Sequence, residues 1–285
     1  MKKRLAAWVL LACALLTLTG CGEEFRNYRP IEDVNALDGR KIGVNLAWAS
    51  DYVLSPREGK DLVLYRYDDT ASMLMALFYH QIDALCCDAF SWLTLEYTNG
   101  EHLHRVEEPV ATDGFMNFVT PAREDLRDKF NEFLVYYHET EEFADLYERM
   151  TNFDGVHYVP GAINHPNGNG EKIRVAFAAE YFPNCYVEAD GTYCGYDLEI
   201  LRAFADYCNY DMELVATSYT DMDYGILTGR YDMGTGAIYD SYRSESERVG
   251  IHVTDMYYDI PLYLVELKEG GSLTIGDEFF FNDEE

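Results

Sequence analysis

The chain has 285 residues and carries 51 Asp and Glu against 22 Lys and Arg, a formal net charge of −29 at pH 7. Such a field repels nucleic acid and anionic headgroups, whose recognition needs clustered Lys and Arg, so both are excluded as charge-recruited partners. With 48% hydrophobic and 15% aromatic residues, the sequence can bury one large core or two modest ones, which excludes a disordered chain.

Lys2, Lys3 and Arg4 are followed by an apolar run from Leu5 to Leu18 and then by Leu18-Thr19-Gly20-Cys21. A basic start, a short apolar stretch and small residues before a cut are the marks of a signal peptide, and the run is too short to span a bilayer as a mature helix. Cys21 resembles the invariant lipid-modified Cys of bacterial lipoproteins. That resemblance implies a signal peptide over residues 1–20 and a palmitate-type lipid on Cys21. It places the mature chain outside the cytoplasm, held to the cell membrane by that lipid. Residues 21–35 are polar, contain Pro30 and read as a tether.

Beyond the tether, strand and helix patterns alternate. Lys41–Val44 and Leu62–Tyr65 read as strands, with a helix near Ser50 between them. Met73, Leu74, Leu77 and Phe78 recur at helical spacing, which predicts a helix from Thr70 to Tyr79 capped by Asp69 or Thr70. Ile82–Cys87 reads as the next strand. This alternation predicts a sheet with parallel strands and helical crossovers. Phe115–Val119 reads as a strand, and Arg123–Met150 holds two helical stretches with Leu126, Phe130, Phe133 and Leu134 on the apolar face. Residues 151–170 dissolve into Asn, Gly, Pro and His and read as a linker. The alternation then resumes: a strand at Ile173–Phe177, a hairpin about Asp190-Gly191, and a helix over Asp197–Tyr207. A strand at Met212–Ala216, a helix near Asp221–Leu227 and a strand from Asp232 complete it. The acidic, aromatic end from Gly270 shows no clear period.

Cys185 and Cys194 sit symmetrically about Ala189-Asp190, the centre of the predicted hairpin. A disulfide across it is one expectation and two free thiols the other, since geometry decides. Cys86, Cys87 and Cys208 read as buried thiols. The seven His show no metal-ligand spacing, and no phosphate loop or nucleophile elbow is present, so neither metal nor cofactor is expected.

The words Leu37-Asp38-Gly39-Arg40-Lys41-Ile42-Gly43-Val44, Ala76-Leu77, Ile82-Asp83-Ala84 and Asp88 resemble the second lobe of bacterial extracellular solute-binding proteins, family 3, the polar amino-acid receptors of ABC importers. Leu126–Leu134 resembles that family's terminal helix. Ile173-Arg174-Val175, Pro183, Asp190-Gly191, Gly195-Tyr196-Asp197-Leu198-Glu199, Gly229-Arg230-Tyr231-Asp232 and Thr254–Tyr258 resemble its first lobe, in order. The resemblance covers most of the chain, with the halves exchanged. It implies an α/β, two-lobed, periplasmic-binding-protein-like (type II) fold with mixed sheets flanked by helices, circularly permuted. The second-lobe-like part would span 36–112, and the first-lobe-like part 113–285 with the linker at 151–170. One crossing between lobes, near Thr112, is expected; a fragment of a longer tandem protein is the rival account.

The implied function is capture of a small polar solute, an amino acid above all, between the lobes, and its delivery to an ABC permease. The resemblance places Asp88 where the family holds the ligand ammonium; as a residue before Ala89 it also reads as a helix N-cap. Arg243 or Arg248 would hold the carboxylate, with Ser241 supplying a hydroxyl, and each Arg also reads as an ion-pairing surface residue beside Glu245 or Glu247. Tyr181 and Trp48, with Tyr186 behind them, would wall the ligand, or else lie in the core. Two departures stand out: Trp48 replaces a preferred Gly-Thr, and Phe182-Pro183-Asn184 replaces Pro-Pro-aromatic. No catalytic constellation points to an enzyme. A cleft acid, Asp88 or Glu199, would serve if the chain were one, and a degenerate or protein-binding lobe pair is the other alternative.

Overall fold

The computed structural model describes residues 29–161, 168–179 and 181–268. The signal peptide, Cys21 and the acidic end from Gly270 lie outside the described residues, as does most of the tether. Asp33–Glu285 form a compact unit of their own, and everything below concerns it. No helix among the described residues is long and apolar enough to cross a membrane.

Among the described residues, ten strands form one mixed sheet. Its first part holds β1 (Arg40–Asn45), β2 (Leu62–Tyr67) and β3 (Ala84–Asp88), with β1 between the others and parallel to both. Helices α1 (Ala49–Leu54) and α2 (Thr70–Phe78) make the crossovers and α3 (Ala89–Asn99) follows β3. The Asp69 carboxylate caps α2 by accepting from Ser72 N–H, and Met73, Leu77 and Phe78 then face a core shared with Leu85, Trp92 and Val265. The short β4 (Leu103–Arg105) ends this part.

The other part repeats the plan. β6 (Lys172–Ala178), β9 (Asp211–Thr217) and β10 (Met233–Tyr239) are parallel, with β6 in the middle. They are linked by a β7–β8 hairpin (Tyr186–Val187, Tyr193–Cys194), α6 (Tyr196–Tyr207) and α7 (Tyr219–Leu227). A 3-10 turn at Asp240–Tyr242, α8 (Arg243–Val249) and β11 (His252–Val253) follow. α4 (Glu124–Tyr137) and α5 (Glu141–Thr151) belong to this half: Phe130 and Phe133 of α4 pack on Phe204 of α6, with ring centroids 5.0 and 5.5 Å apart.

Two antiparallel strands join the parts. β5 (Ala111–Val119) pairs with β10 and β11 at one end and with β12 (Tyr258–Leu267) at the other. β12 in turn pairs with β3 and β4. The single crossing expected near Thr112 is therefore two, because β12 returns and lends Leu262–Leu267 to the part built from β1–β4. Phe90, Phe115 and Tyr258 stack where the strands cross, at 5.8–6.4 Å, and Phe153 meets Phe90 edge-on. The mixed, two-lobed α/β architecture expected from the sequence is the one observed.

The start of the linker is held in place. Arg149 Nη2 pairs with Glu199 Oε2 at 2.7 Å, Arg149 Nη1 donates to Val159 O, and Tyr158 Oη donates to Glu199. Glu199, the alternative cleft acid, is thus committed to a clasp between α5, the linker and α6.

The hairpin forms about Asp190-Gly191 as expected, but the disulfide does not. Cys185 and Cys194 are both free, because the register sets Tyr186, not Cys185, opposite Cys194. Neighbouring residues of a strand point to opposite faces, so this one-residue offset separates the sulfurs. The Cys185 thiol instead faces Asp197 at 3.9 Å.

Candidate functional site

A cavity of about 550 Å³ opens between the lobes, lined by Leu46–Trp48 and Tyr52 from one side and by α7, the end of β10 and α8 from the other. That volume lies in the range of small-molecule sites. Its first wall follows from the end of β1. Ala47 takes a left-handed backbone (φ 60), and its N–H donates to Asp51 Oδ2 at 3.1 Å, which turns the chain into α1. Trp48 sits at the N-cap and faces Tyr181 across the cleft, with centroids 5.8 Å apart. One turn on, Tyr52 Oη donates to Glu245 Oε2 at 2.9 Å, and its ring meets Tyr242 edge-on at 4.6 Å. Burial and the neighbouring Glu245 carboxylate push the Tyr52 hydroxyl up to about 12, so it stays a donor.

The second wall depends on an irregularity in β10. The register shifts between Gly234 and Ile238, with Gly236 at φ 132 and Ala237 at φ 51. A Cβ on Gly236 would lie 3.0–3.1 Å from Ala178 atoms, so the bulge needs glycine both for its φ and for space. Buried Asp197 anchors the bulge: its Oδ2 accepts Ala237 N–H at 2.7 Å and Thr235 Oγ1 at 3.3 Å. Ala237, Ile238 and Tyr239 consequently line the cavity. Tyr219 Oη donates to Gly236 O at 2.6 Å, which fixes a further ring of the lining.

Of the residues singled out in the sequence, Trp48 and Tyr181 line this cavity, while Asp88, Ser241, Arg243 and Arg248 do not. Asp88 is buried behind it. Its Oδ1 caps α3 through Phe90 N–H and Ser91 N–H, and Oδ2 accepts from Ser91 Oγ and, at 3.2 Å, from Tyr239 Oη. The N-cap role is therefore realised, with a contact between lobes added. Arg243 is turned inward on its own turn: Nε donates to Asp240 Oδ1 at 2.6 Å and Nη2 to Thr254 O at 2.9 Å. Arg248 is exposed and stands 3.5 Å from Glu245. Ser241 N–H donates to Asp113 Oδ1 at 3.2 Å, and its buried hydroxyl has no partner.

The sequence did not flag Tyr52, Tyr219, Tyr239, Tyr242, Asp223 or Glu245 as site residues, yet all six line the cavity. The available signal was compositional: 24 Tyr in the chain is a supply of rings with polar tips. Asp223, on α7, has its carboxyl pushed up to about 6 by loss of solvation at the cavity wall. Its side chain is open to solvent on one side, which tempers the cost. The folded value lies above the unfolded 3.8, so the native state keeps a proton that the unfolded chain has released, and stability falls as pH rises through that window. Asp223→Asn is expected to stabilise the fold at pH 7.5, by less than about 1 kcal/mol after solvent screening. Urea midpoints should show the gain at pH 7.5 and lose it near pH 3.5.

Comparison with known proteins adds one assignment. Residues 173–269 match the family model of bacterial extracellular solute-binding proteins, family 3, so the resemblance read from Ile173 onward holds over that segment. No curated protein matches the chain. Among solved structures, a double mutant of the BvgS VFT2 domain of Bordetella pertussis is 11% identical, with 82% of each chain covered and a TM-score of 0.38. A mutant of ArgBP from T. maritima is 11% identical over 81% of this chain and 82% of that one, with a TM-score of 0.38. The L-cystine solute receptor of Neisseria gonorrhoeae, in its unliganded open conformation, is 30% identical over 25% of this chain and 30% of that one, with a TM-score of 0.24.

Proposed function

Taking the family-3 match over residues 173–269 as the premise, we propose that this chain is an extracytoplasmic solute receptor. It captures a small organic solute between its lobes and hands it to an ABC permease while a lipid on Cys21 holds it to the membrane. The observation that carries this reading is the cavity of about 550 Å³, walled by residues of both lobes. A solute in such a cleft contacts both walls only when they are close, so its binding free energy favours the closed form. Tyr52 with Glu245 and Asp88 with Tyr239 are the direct hydrogen bonds that span the cleft beside it.

We place the lobes in circularly permuted order. The chain builds β1–β4, crosses once on β5, builds α4 to β11, and returns on β12, so each lobe completes its sheet with a strand from a crossing. The linker at 151–170 follows α5, where the sequence resembles the end of the unpermuted family, and passes to β6, where it resembles the beginning. Binding rather than turnover is the activity we assign.

The test is thermal unfolding of the full-length chain against amino acids, amines, sugars and small peptides. A solute of the right class raises stability with concentration, by about 2.7 kcal/mol at a hundred times its dissociation constant. A folded sample whose melting none of these solutes moves would sink the reading.

A further inference from the structure

The cavity's chemistry narrows the solute further, and this step rests on the receptor reading. Seven aromatic side chains contribute to the lining: Trp48, Tyr52, Phe118, Tyr181, Tyr219, Tyr239 and Tyr242. The lining holds two carboxylates, Asp223 and Glu245, and among the described residues no Lys, Arg or His. Ring faces carry the negative end of the aromatic quadrupole, so seven rings and two acids make a wall that favours positive charge spread over an apolar body.

The same wall offers a ligand carboxylate no cationic side chain. Several backbone donors around the cleft are already bound by the chain's own acids. Asp51 accepts the N–H of Ala47 ahead of α1, and Asp88 accepts those of Phe90 and Ser91 at the start of α3. Asp113 accepts the N–H of Ser241, and Asp197 that of Ala237 on the bulge. The guanidinium groups nearest the cleft are taken as well: Arg243 by Asp240 and the Thr254 carbonyl, and Arg66 by Asp51 and Glu58. Arg248, 3.5 Å from Glu245, is largely exposed and offsets little of that acid's charge. A free carboxylate entering this space would lose its hydration and meet acids and ring faces instead.

We propose that the cleft selects an organic cation without a carboxylate, an aromatic or alkylated amine, whose charged head sits among the rings beside Asp223 and Glu245. An amino acid and the amine left when its carboxylate is removed then fall on opposite sides of the specificity.

Titration calorimetry on the full-length chain with matched pairs tests this: tyramine against tyrosine, phenethylamine against phenylalanine, histamine against histidine, agmatine against arginine, and choline against glycine betaine. At least one cation is expected to bind ten-fold or more tighter than its carboxylated partner. Asp223→Asn with Glu245→Gln should weaken that cation at least ten-fold, and Trp48→Ala should weaken it too, while both variants keep the far-ultraviolet dichroism of the parent. The proposal is overturned if none of the five cations binds, if the carboxylated partners bind as tightly, or if the double variant binds the cation unchanged. In those cases the receptor reading survives provided some other solute, an amino acid included, stabilises the chain. If no solute of any class does, both fall together.

Discussion

Phe90→Ala is expected to lower the unfolding free energy by about 3–5 kcal/mol, the range for emptying a buried aromatic site that cannot collapse. Phe90 is 2% exposed and lies at the start of α3, behind the Asp88 cap. Its ring is surrounded by rings from four separate stretches of chain: Phe115 of β5, Tyr258 of β12, Tyr196 of α6 and Phe153 of the linker. Both strands that join the lobes thus bear on one side chain. Neither can move inward to fill the space, because each is held in the sheet on both of its edges. Guanidinium titration should show the midpoint falling with little change in slope. Tyr224→Ala, at a residue 67% exposed on α7, should shift it by less than about 0.5 kcal/mol. A Phe90→Ala midpoint indistinguishable from the parent would mean that the strand crossing is held by the ladder alone.

Much of the fold was legible because most elements carry their own local signal. The apolar face of α2, the period of α4 and the apolar run Val175–Ala178 of β6 each match one template. The second crossing strand was not legible. β12 runs Tyr258-Asp259-Ile260-Pro261-Leu262 before its apolar end, and a proline inside a run argues against a paired strand because it has no N–H to donate. Pro261 nevertheless sits opposite Thr112 of β5. β3 begins at Ala84 rather than Ile82, and Asp83 just ahead of it is tied to β1 through both its N–H, which donates to Lys41 O, and its Oδ2, which accepts the Lys41 N–H.

The site was half legible for a related reason. Trp48 and Tyr181 were reachable because family words fix their positions on loops at strand ends. The rest of the wall comes from helices and from the β10 bulge, whose faces only the fold defines. Nothing in the spacing of Asp223 or Glu245 separates them from the other acids of a chain holding 51, and they become a pair only when the fold brings α7 and α8 to the same cavity. The Arg ambiguity likewise needed geometry. Arg243 is drawn back to Thr254 O and Arg248 is left on the surface, so the sequence could narrow the choice but not see that neither lines the cavity.

Asp197→Ala is expected to cost about 2–4 kcal/mol, because it strands two buried donors, the Ala237 N–H and the Thr235 hydroxyl, where water cannot replace the carboxylate. Asp197→Asn keeps an oxygen for Ala237 and should cost less. The two also differ in pH dependence. Burial pushes the Asp197 carboxyl up to about 6, above the unfolded 3.8. The folded protein therefore holds a proton that the unfolded chain loses between those values, and the Asp197 contribution to stability declines as pH rises through that window and levels off above it. Denaturation curves at pH 4.0 and 7.5 should show Asp197→Asn losing less stability over that span than the parent. The functional consequence follows from position: Asp197 fixes the left-handed Ala237 bulge, and the bulge carries Ile238 and Tyr239 to the cavity. Asp197→Ala should therefore weaken solute binding although Asp197 touches no solute, and Asp197→Asn should restore most of it. If Asp197→Ala binds as the parent does, the bulge is fixed by its own glycine and the anchor is dispensable.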